Sequence, residues 1–579
     1  MTLLLIIKKH KFFVLGIFVL TLLEALAITI PAQIIGLTID YLSDFLKHTS
    51  TGAIQKTFFT SIFSNYIKVY SPSKIIFLLG STYLIFTIVK VSLGSLRGFL
   101  TTIFGEKCIM DLRQNLFSHI LLSNISFIKS NKVGDLVSRI VSDANEIRQI
   151  IISPMNGLIT GIFTMLWAIY FSFKISPQLT TIILLPSPFL IWLGFYFGNK
   201  QKQVAAMSRK ALGNITVNIT NRLNGIITIK AFVKEFLEIE RLAFLLKEFF
   251  NTNVKGFKLT FWFWPAIGLI EGLVVSIILI YGSKQVLFST LTVGGLSVLI
   301  QYLFKIYDPL INISRFYNSI ATAIASLKRV EEITRNTSTI EQNLVKDGED
   351  ISITGRIEIV NLSYGYNDKT AVIKNLTLTI SPGDKVAIIG KSGSGKSTFF
   401  AILTRFYEPT SGNIYIDNKP IFDYRLETLR KNICLIPQEP VIFEVSLIEN
   451  LRFAKPDASD KEIEDVISRV KLEYLLNRGG LELNVGDMGN QLSLGEKQRI
   501  SLARVLLLNP SVILFDEPIS HLDSENEKNI LNLIKELFKD KTIIIASHNL
   551  SVISIVDKVL SLPDGKLIDK SIIVDGSLH

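Results

Sequence analysis

Cysteine is scarce in this chain, with only Cys108 and Cys434 among 579 residues. They lie far apart in the sequence, so we do not expect a framework of disulfides of the kind that holds small secreted domains together. Charged residues are also few, at 19% of the chain, whereas hydrophobic residues make up 48% and the mean hydropathy is +0.40. The chain is too long for one hydrophobic core, so two or more domains are predicted. Its apolar residues are concentrated before about residue 320, which indicates a membrane-embedded first half.

Six apolar stretches approach or exceed the length that crosses a bilayer, which is about 20 residues of helix. They are Phe12 to Ile35, Ile75 to Leu100, Leu158 to Phe173, Leu179 to Phe197, Phe261 to Val286, and Gly295 to Phe316. The first is too long for a cleavable secretory signal and lacks a small-residue cleavage site, so we expect it to remain as a membrane span.

Lysine and arginine are concentrated on one side of these spans. They occur before the first span, between the second and third, and most densely between Lys200 and Lys258. The positive-inside rule therefore places the N-terminus and both long connections in the cytoplasm. Since the number of spans is even, the C-terminal half is expected in the same compartment. This topology explains the net charge of +11 better than nucleic-acid binding does.

The second half contains a phosphate-binding loop pattern. Residues 390 to 398 read GKSGSGKST and match G-x-x-x-x-G-K-[ST], after an apolar strand at Val386 to Ile389 and before a helix-like run. Glycines let backbone N–H groups surround a triphosphate, and the following helix presents its positive end to it. Lys396 is expected to reach the β and γ phosphates and Ser397 to hold Mg²⁺. The candidate nucleotide ligands are Gly390, Lys391, Ser392, Gly393, Ser394, Gly395, Lys396, Ser397 and Thr398.

Two further apolar strands end in candidate catalytic groups. Val512 to Phe515 leads into Asp516 and Glu517, which are expected to coordinate Mg²⁺ and to polarise the attacking water, respectively. His548 follows the strand Thr542 to Ala546, where a sensor of the γ-phosphate is expected. Taken alone, a histidine at a strand end is more often structural.

Two more positions are candidates for nucleotide chemistry. Gln438 follows the strand Ile433 to Ile436 and suits contact with a metal and a water molecule. Tyr366 precedes Lys396 by thirty residues and is a candidate to stack on adenine, although an aromatic residue in a strand usually belongs to the core.

These groups occur in an order that identifies a family. Leu492 to Glu496 reads LSLGE, is followed by Lys497 to Arg499, and precedes Asp516 and Glu517. This run resembles the LSGGQ signature and Walker B motif of ATP-binding cassette (ABC) transporters, and Ser520 to Asp523 resembles their D-loop. Six spans before one cassette resemble a half-size ABC exporter of the lipid A exporter type. Gly134 to Arg139 resembles the family's first intracellular loop, and Asn224 to Phe232 resembles its second. Pro309 to Arg329 resembles the exit from the sixth span, and Gly486 to Gly489 the loop that senses the intracellular helices. Coupling helices are expected near 123–130 and 208–214.

The resemblance implies a multidomain membrane protein. Residues 1–330 are expected to form a six-helix transmembrane domain of the ABC exporter type with two long intracellular loops. Residues 331–350 are expected to be a linker, and 351–579 an α/β P-loop nucleotide-binding domain. The family's mechanism implies that two copies bind ATP and Mg²⁺ between them, each phosphate loop facing Ser493 and Gly495 of the other copy. The signature departs from the family at Leu494 and Glu496, but the two contacting residues are retained, so slower hydrolysis is expected. Because Glu517 and His548 are intact, a homodimer is expected.

Ionisable residues inside spans bear on what is transported. Glu24, Lys90, Glu271 and Lys305 each cost about 2.5 to 3.5 kcal/mol to insert, so they are expected to face a partner or a water-filled cavity. Lys90 falls where lipid A exporters carry a basic residue, although it is equally compatible with snorkelling to the interface. We therefore expect export or flipping of a lipid or another hydrophobic compound across the bacterial inner membrane. The alternatives are a peptide or drug exporter, an importer on the same fold, and a nucleotide-gated channel or regulator.

Overall fold

The structure is a computed structural model of one chain, and it describes residues 8–46, 71–153, 157–336, 352–366, 371–391, 393–520, 522–562 and 566–568. The chain divides into two compact units. The first consists of residues 1–119 and 133–336, and the second of residues 120–132 and 337–579. The predicted loop residue Ser392 and the part of the predicted linker after residue 336 lie outside the described residues.

The described residues before residue 337 are mainly helical. In chain order its helices are α1 (Lys11–Leu46), α2 (Pro72–Leu121), α3 (Ile125–Ser130), α4 (Val133–Ser138), a π-helix (Arg139–Asp143), α5 (Ala144–Ser153), α6 (Ile159–Ile175), α7 (Pro177–Leu184), α8 (Ser187–Asn224), α9 (Ile226–Ala231), α10 (Glu235–Leu287) and α11 (Val293–Asn336).

The six predicted spans fall on these helices. By length and composition α1, α2, the pair α7 and α8, and α10 can cross a membrane, while α6 is apolar but shorter. The last predicted span lies within α11. The predicted span from Leu179 to Phe197 falls on two helices, α7 and α8, joined by Leu185 and Pro186, whose backbone angles remain helical. Proline has no N–H to donate to the helical ladder, which accounts for the interruption in its hydrogen bonds.

Buried polar contacts fasten α11 to α1 and α7 inside the first unit. Gln33 Nε2 donates to the Tyr302 hydroxyl at 2.9 Å, and that hydroxyl donates to the Thr29 carbonyl at 3.0 Å. The Tyr307 hydroxyl donates to the Ile183 carbonyl at 2.7 Å. Each hydroxyl is thereby satisfied away from water, as an apolar environment requires.

Two glycines bring the backbones of α1 and α11 into direct contact. A Cβ atom added at Gly294 would overlap the Gly36 carbonyl oxygen and would lie 2.7 Å from Asp40 Oδ1. Asp40 Oδ1 accepts a hydrogen bond from the Gly294 N–H at 2.6 Å, at the first turn of α11. Only glycine permits this approach, and Asp40 satisfies an N–H that the helix itself leaves free.

Glu24 has a buried partner that the sequence patterns did not reveal. Its carboxylate accepts hydrogen bonds from the Arg97 guanidinium, so an ion pair joins α1 to α2 within the predicted spans. Gly94 makes room for it, since an added Cβ would lie 2.8 Å from Glu24 Oε1. The pair satisfies the expectation that a charge inside a span has a partner.

The long connections are largely helical, because α2, α8 and α10 each extend far past their apolar segments. One predicted coupling helix has a counterpart in α3, which belongs to the second unit. The prediction near 208–214 was wrong: those residues lie inside the uninterrupted α8, and the short helix after it is α9. Gly225 separates α8 from α9, and glycine is common where a helix ends.

The second unit is an α/β domain containing two sheets. Its strands are β1 (Ile357–Tyr364), β2 (Ile373–Ile380), β3 (Lys385–Ile389), β4 (Ser411–Ile416), β5 (Lys419–Pro420), β6 (Ile433–Ile436), β7 (Val512–Asp516), β8 (Thr542–Ser547), β9 (Lys558–Ser561) and β10 (Lys566–Ile568). The helices among them are α12 (Lys396–Leu403), α13 (Leu426–Asn432), α14 (Leu447–Arg452), α15 (Asp460–Arg469), α16 (Glu473–Gly479), α17 (Leu494–Leu508) and α18 (Ser524–Leu537).

The larger sheet supports the predicted nucleotide site. Its strand order is β10-β9-β3-β8-β7-β6, and the strands from β9 to β6 run parallel. Residues 512 to 515 of β7 are fully buried, as expected for a parallel strand covered on both faces. The smaller antiparallel sheet has the order β2-β1-β4-β5.

Candidate functional site

The predicted catalytic groups lie at the carboxyl ends of neighbouring parallel strands. Gly390 follows β3, His548 follows β8, Glu517 follows β7, and Gln438 lies two residues after β6. These four strands are adjacent in the order β3, β8, β7, β6. With about 4.8 Å between strands, the four strand ends cover about 14 Å. Ligands of open parallel sheets bind at this edge, and the width suits a triphosphate and its attacking water.

The phosphate loop connects β3 to α12, and its lysine is hydrogen-bonded to the loop backbone. Gly393 and Gly395 have φ angles of +82° and +98°, which favour glycine. Lys396 Nζ donates to the Gly390 carbonyl at 2.8 Å and to the Lys391 carbonyl at 3.3 Å. The ammonium group therefore lies across the loop beside the N-terminus of α12. The positive charge of the lysine and the partial positive charge of the helix N-terminus both favour a bound anion.

Asp516 and Ser397 form the candidate Mg²⁺ position. Burial raises the pKa of Asp516, and a hydrogen bond from Ser397 partly offsets that effect. The described residues contain no cluster of three or more His, Cys, Asp or Glu side chains suited to a metal ion. A hydroxyl and one carboxylate nevertheless fit Mg²⁺, which usually takes few protein oxygens and completes its shell with water and substrate phosphates.

Glu517 lies between the other two predicted catalytic residues. Gln438 Nε2 donates to Glu517 Oε2 at 3.2 Å, and His548 Nδ1 lies 3.2 Å from Glu517 Oε1. The backbone of Glu517 has a φ of +48°, and its N–H donates to the Ala546 carbonyl at 2.9 Å. A non-glycine residue held in this conformation is costly, and such residues are concentrated at functional sites.

Tyr366 is placed to receive a planar base. It lies two residues past the end of β1, not within the strand, and the residue is 54% exposed. Its hydroxyl shares a hydrogen bond of 2.8 Å with Thr398 Oγ1 in the phosphate loop. Its ring meets the Tyr407 ring edge to face at 5.5 Å between centroids. The tyrosine is thus fixed from two sides while part of its ring remains open.

The signature residues belong to a different part of the second unit. Ser493 is the N-cap of α17, and Gly495 is in its first turn. Within the described part of the chain, no hydrogen bond or ion pair connects these two residues to the phosphate loop. The nearest side chain to a Cβ added at Gly495 is Asn526, at 3.7 Å. The predicted nucleotide contacts therefore form two separate groups in one copy.

A lysine that the sequence patterns did not single out reaches the nucleotide side of the cassette. Lys129 of α3 places its Nζ 5.7 Å from the centre of the Tyr407 ring. Its charge also acts on Asp516, whose pKa it lowers slightly against the effect of burial. Because α3 belongs to the second unit, a segment from the helical half of the sequence contributes positive charge near the site.

Lys90, the predicted substrate contact, lies half-buried on α2 in the first unit. Lys305 on α11 is also half-buried and experiences the charge of Lys90. Two acidic residues lie near these lysines. Asp308, one helical turn after Lys305, interacts electrostatically with Lys305, and Glu271 of α10 interacts with Asp308. Asp308 was absent from the sequence-based candidates.

Comparison with known proteins agrees with these two units. A family model for the ABC transporter transmembrane region matches residues 13–310, and one for the ABC transporter cassette matches residues 373–520. The ATP-dependent lipid A-core flippase of Syntrophus aciditrophicus is 29% identical over 488 residues, which cover 83% of this chain and 80% of that protein. A Staphylococcus aureus protein named for multidrug export as an ATP-binding/permease protein is 28% identical over 494 residues, or 85% of each chain.

A solved structure shares the fold over nearly the whole length. The structure of a bacterial Atm1-family ABC exporter with ATP bound has a TM-score of 0.76 and 22% identity, and covers 98% of this chain and 97% of that one. The transmembrane family model alone spans slightly more than half of the 579 residues. The chain therefore belongs to the ABC transporter family: it is a multi-pass, half-size ABC exporter whose ATP-binding cassette makes it an ATPase coupled to transport.

Proposed function

We propose that this exporter works as a homodimer that moves a lipid or another amphipathic compound across the bacterial inner membrane, with ATP bound between the two cassettes. The observation that carries the proposal is the separation of the nucleotide contacts. The phosphate loop and Glu517 share one sheet edge, while Ser493 caps a helix with no hydrogen bond to that loop among the described residues. Two copies facing each other would complete both sites, as the family resemblance implies.

In this proposal each side chain has a physical role. Lys396 and the N-terminus of α12 bind the β and γ phosphates, and Ser493 and Gly495 of the other copy donate to the γ-phosphate. Glu517 accepts a proton from the attacking water, with Gln438 and His548 fixing its two carboxylate oxygens. Ser397, Gln438 and Asp516 would hold Mg²⁺, which when bound neutralises charge on the triphosphate.

The rest of the phosphate loop and Tyr366 complete nucleotide binding. The loop surrounds the phosphates with backbone N–H groups, and Tyr366 stacks on adenine. The loop residues in this role are Gly390, Lys391, Ser392, Gly393, Ser394, Gly395 and Thr398. The domain limits of 1–330, 331–350 and 351–579 and the cytoplasmic position of the N-terminus and cassette are part of the same proposal.

The lipid substrate is supported by two features. The exposed surfaces of α2 and α10 are rich in large apolar side chains, for example Phe77, Trp262 and Leu269, which suit contact with acyl chains or a second copy. The lysines Lys90 and Lys305 lie close enough to interact electrostatically, and this pair of cations favours an anionic headgroup even with Asp308 beside Lys305. The similarity to a lipid A-core flippase agrees with this assignment.

The proposal is tested with Glu517→Gln in the full chain, reconstituted into liposomes. The substitution preserves size and the hydrogen bond from Gln438 but removes the base, so we expect ATP turnover to fall by at least about 100-fold, while two ATP molecules stay bound per dimer. Glu536→Gln, which neutralises an exposed carboxylate on α18, is the matched control and should keep wild-type turnover. Undiminished turnover, or trapped ATP on a monomer, would contradict the proposal.

A further inference from the structure

The signature motif carries a negative charge at the place where a phosphate is expected. Glu496 occupies the third position of α17, three residues after Ser493. Burial alone would raise the pKa of Glu496, but hydrogen bonds from Ser493 and Tyr474 outweigh that effect and lower it. The side chain is therefore ionised at neutral pH. A carboxylate beside the approaching γ-phosphate repels it unless the charge is held back and compensated.

Both oxygens of this carboxylate already have donors. Glu496 Oε2 accepts from the Ser493 N–H at 2.6 Å, and Oε1 accepts from the Tyr474 hydroxyl at 2.9 Å. Arg478 Nη1 lies 3.8 Å from the same Oε1. Tyr474 and Arg478 are one turn apart on α16, so a single helix face provides both groups.

This arrangement determines what the Ser493 hydroxyl can do. Ser493 Oγ accepts the Glu496 N–H at 3.3 Å, completing a capping box at the start of α17. A hydroxyl has one proton to donate. The hydroxyl also lies within reach of the Glu496 carboxylate, whose oxygens can each accept more than one hydrogen bond. A carboxylate whose charge is partly offset by Tyr474 and Arg478 competes less strongly for that proton, so Ser493 can donate it to an acceptor outside the helix.

We propose that Tyr474 and Arg478 are positioning residues of the ATP site, which hold the Glu496 carboxylate on the N-terminus of α17 so that Ser493 can donate to the γ-phosphate. The inference rests on the proposed homodimer, because the phosphate is bound by the other copy. It assigns to α16 the compensation for a carboxylate in the signature. It also predicts that neither α16 residue matters in this way when position 496 is neutral.

The test is a double-mutant cycle on the full chain in liposomes, with KM for ATP and kcat measured separately. Tyr474→Phe removes one charge-assisted hydrogen bond at a partly exposed position, so KM should rise about 5- to 10-fold. Glu496→Gln should keep KM within about 2-fold of wild type. In the Glu496→Gln background, Tyr474→Phe should change KM by less than about 2-fold, because a neutral amide has no charge to offset and competes weakly for the Ser493 proton. Arg478→Gln should show the same dependence on position 496, with a smaller effect.

Controls separate this mechanism from a structural role. Tyr415→Phe removes a hydroxyl from β4, which belongs to the smaller sheet, and should leave KM for ATP unchanged. An equal rise of KM in both backgrounds, or no rise in either, would overturn the inference. If Tyr474→Phe lowers the melting temperature enough to leave unfolded protein, the Arg478→Gln and Glu496→Gln cycle decides by the same criteria.

Failure of the inference is distinguishable from failure of the proposed function. Additive effects in a wild-type chain that hydrolyses ATP, and whose Glu517→Gln variant traps it in a dimer, overturn only the roles of Tyr474 and Arg478. A chain that traps no ATP at a dimer boundary overturns the proposed function itself.

Discussion

The exposed ring of Tyr366 permits a quantitative test of base recognition. Stacking of a nucleobase on an aromatic side chain contributes about 1–3 kcal/mol and tolerates different bases. Because Tyr366 is 54% exposed before a nucleotide binds, we take about 1.5 kcal/mol as the loss in Tyr366→Leu. This corresponds to an increase of about 12-fold in the Kd for ATP. Tyr366→Phe keeps the ring and loses only the hydrogen bond to Thr398, so its Kd should change by less than about 3-fold.

The assay is equilibrium binding of labelled ATP and GTP to the full chain in lipid nanodiscs, in a Glu517→Gln background that prevents turnover. The Kd values for ATP and for GTP should rise by similar factors in Tyr366→Leu, since stacking does not distinguish the hydrogen-bonding edges of the bases. Tyr415→Leu on β4 is the matched control. Binding within about 2-fold of the parent, or a loss confined to ATP, would refute the stacking role.

Three further perturbations test other parts of the chain. Burial raises the pKa of Asp516, so the folded chain binds this proton more tightly than the unfolded chain and loses stability as pH rises from the ordinary pKa of aspartate to the raised one. Asp516→Asn should therefore abolish ATPase activity yet raise the melting temperature of the nucleotide-free protein; a lower melting temperature would contradict the sign. Gly294→Ala should reduce the yield of folded protein, because its Cβ overlaps a carbonyl of α1, whereas Gly268→Ala in α10 meets nothing within 4 Å and should not. Replacing Lys90 and Lys305 with glutamine should slow the flipping of anionic lipid analogues more than that of zwitterionic ones; an unchanged ratio would favour snorkelling for Lys90.

Much of the cassette was predictable because its chemistry lies in short local patterns. The strand from Ile433 to Ile436 was predicted with the bounds that the structure has, and the predicted strands before Gly390 and His548 differ from the observed ones by one residue. Parallel strands place their carboxyl ends together, so groups distant in sequence become neighbours without any long-range information in the pattern. This is why Gln438, Glu517 and His548 were found before the structure placed them within hydrogen-bonding distance.

The omissions concern pairs made by tertiary packing. Arg97 lies inside a predicted span, but only the fold shows that it faces Glu24 across two helices. Tyr474 has no motif of its own, and its role follows solely from its contact with Glu496. The break at Pro186 was missed because hydropathy alone does not register a missing backbone N–H. The coupling helix expected near 208–214 was wrong because helical periodicity continues through those residues to the end of α8.

The wall behind the phosphate loop is supplied late in the chain. Leu562 donates its N–H to the Ile389 carbonyl at 3.0 Å, and a Cβ at Gly390 would lie 2.7 Å from the Leu562 carbonyl oxygen. A ribosome adding about 5 to 20 residues per second needs roughly 10 to 30 s to travel from one position to the other. We therefore expect a nascent chain to bind no ATP until almost the entire cassette has been synthesised. A premature stop before Leu562 would leave a membrane-bound chain without uncontrolled ATPase activity.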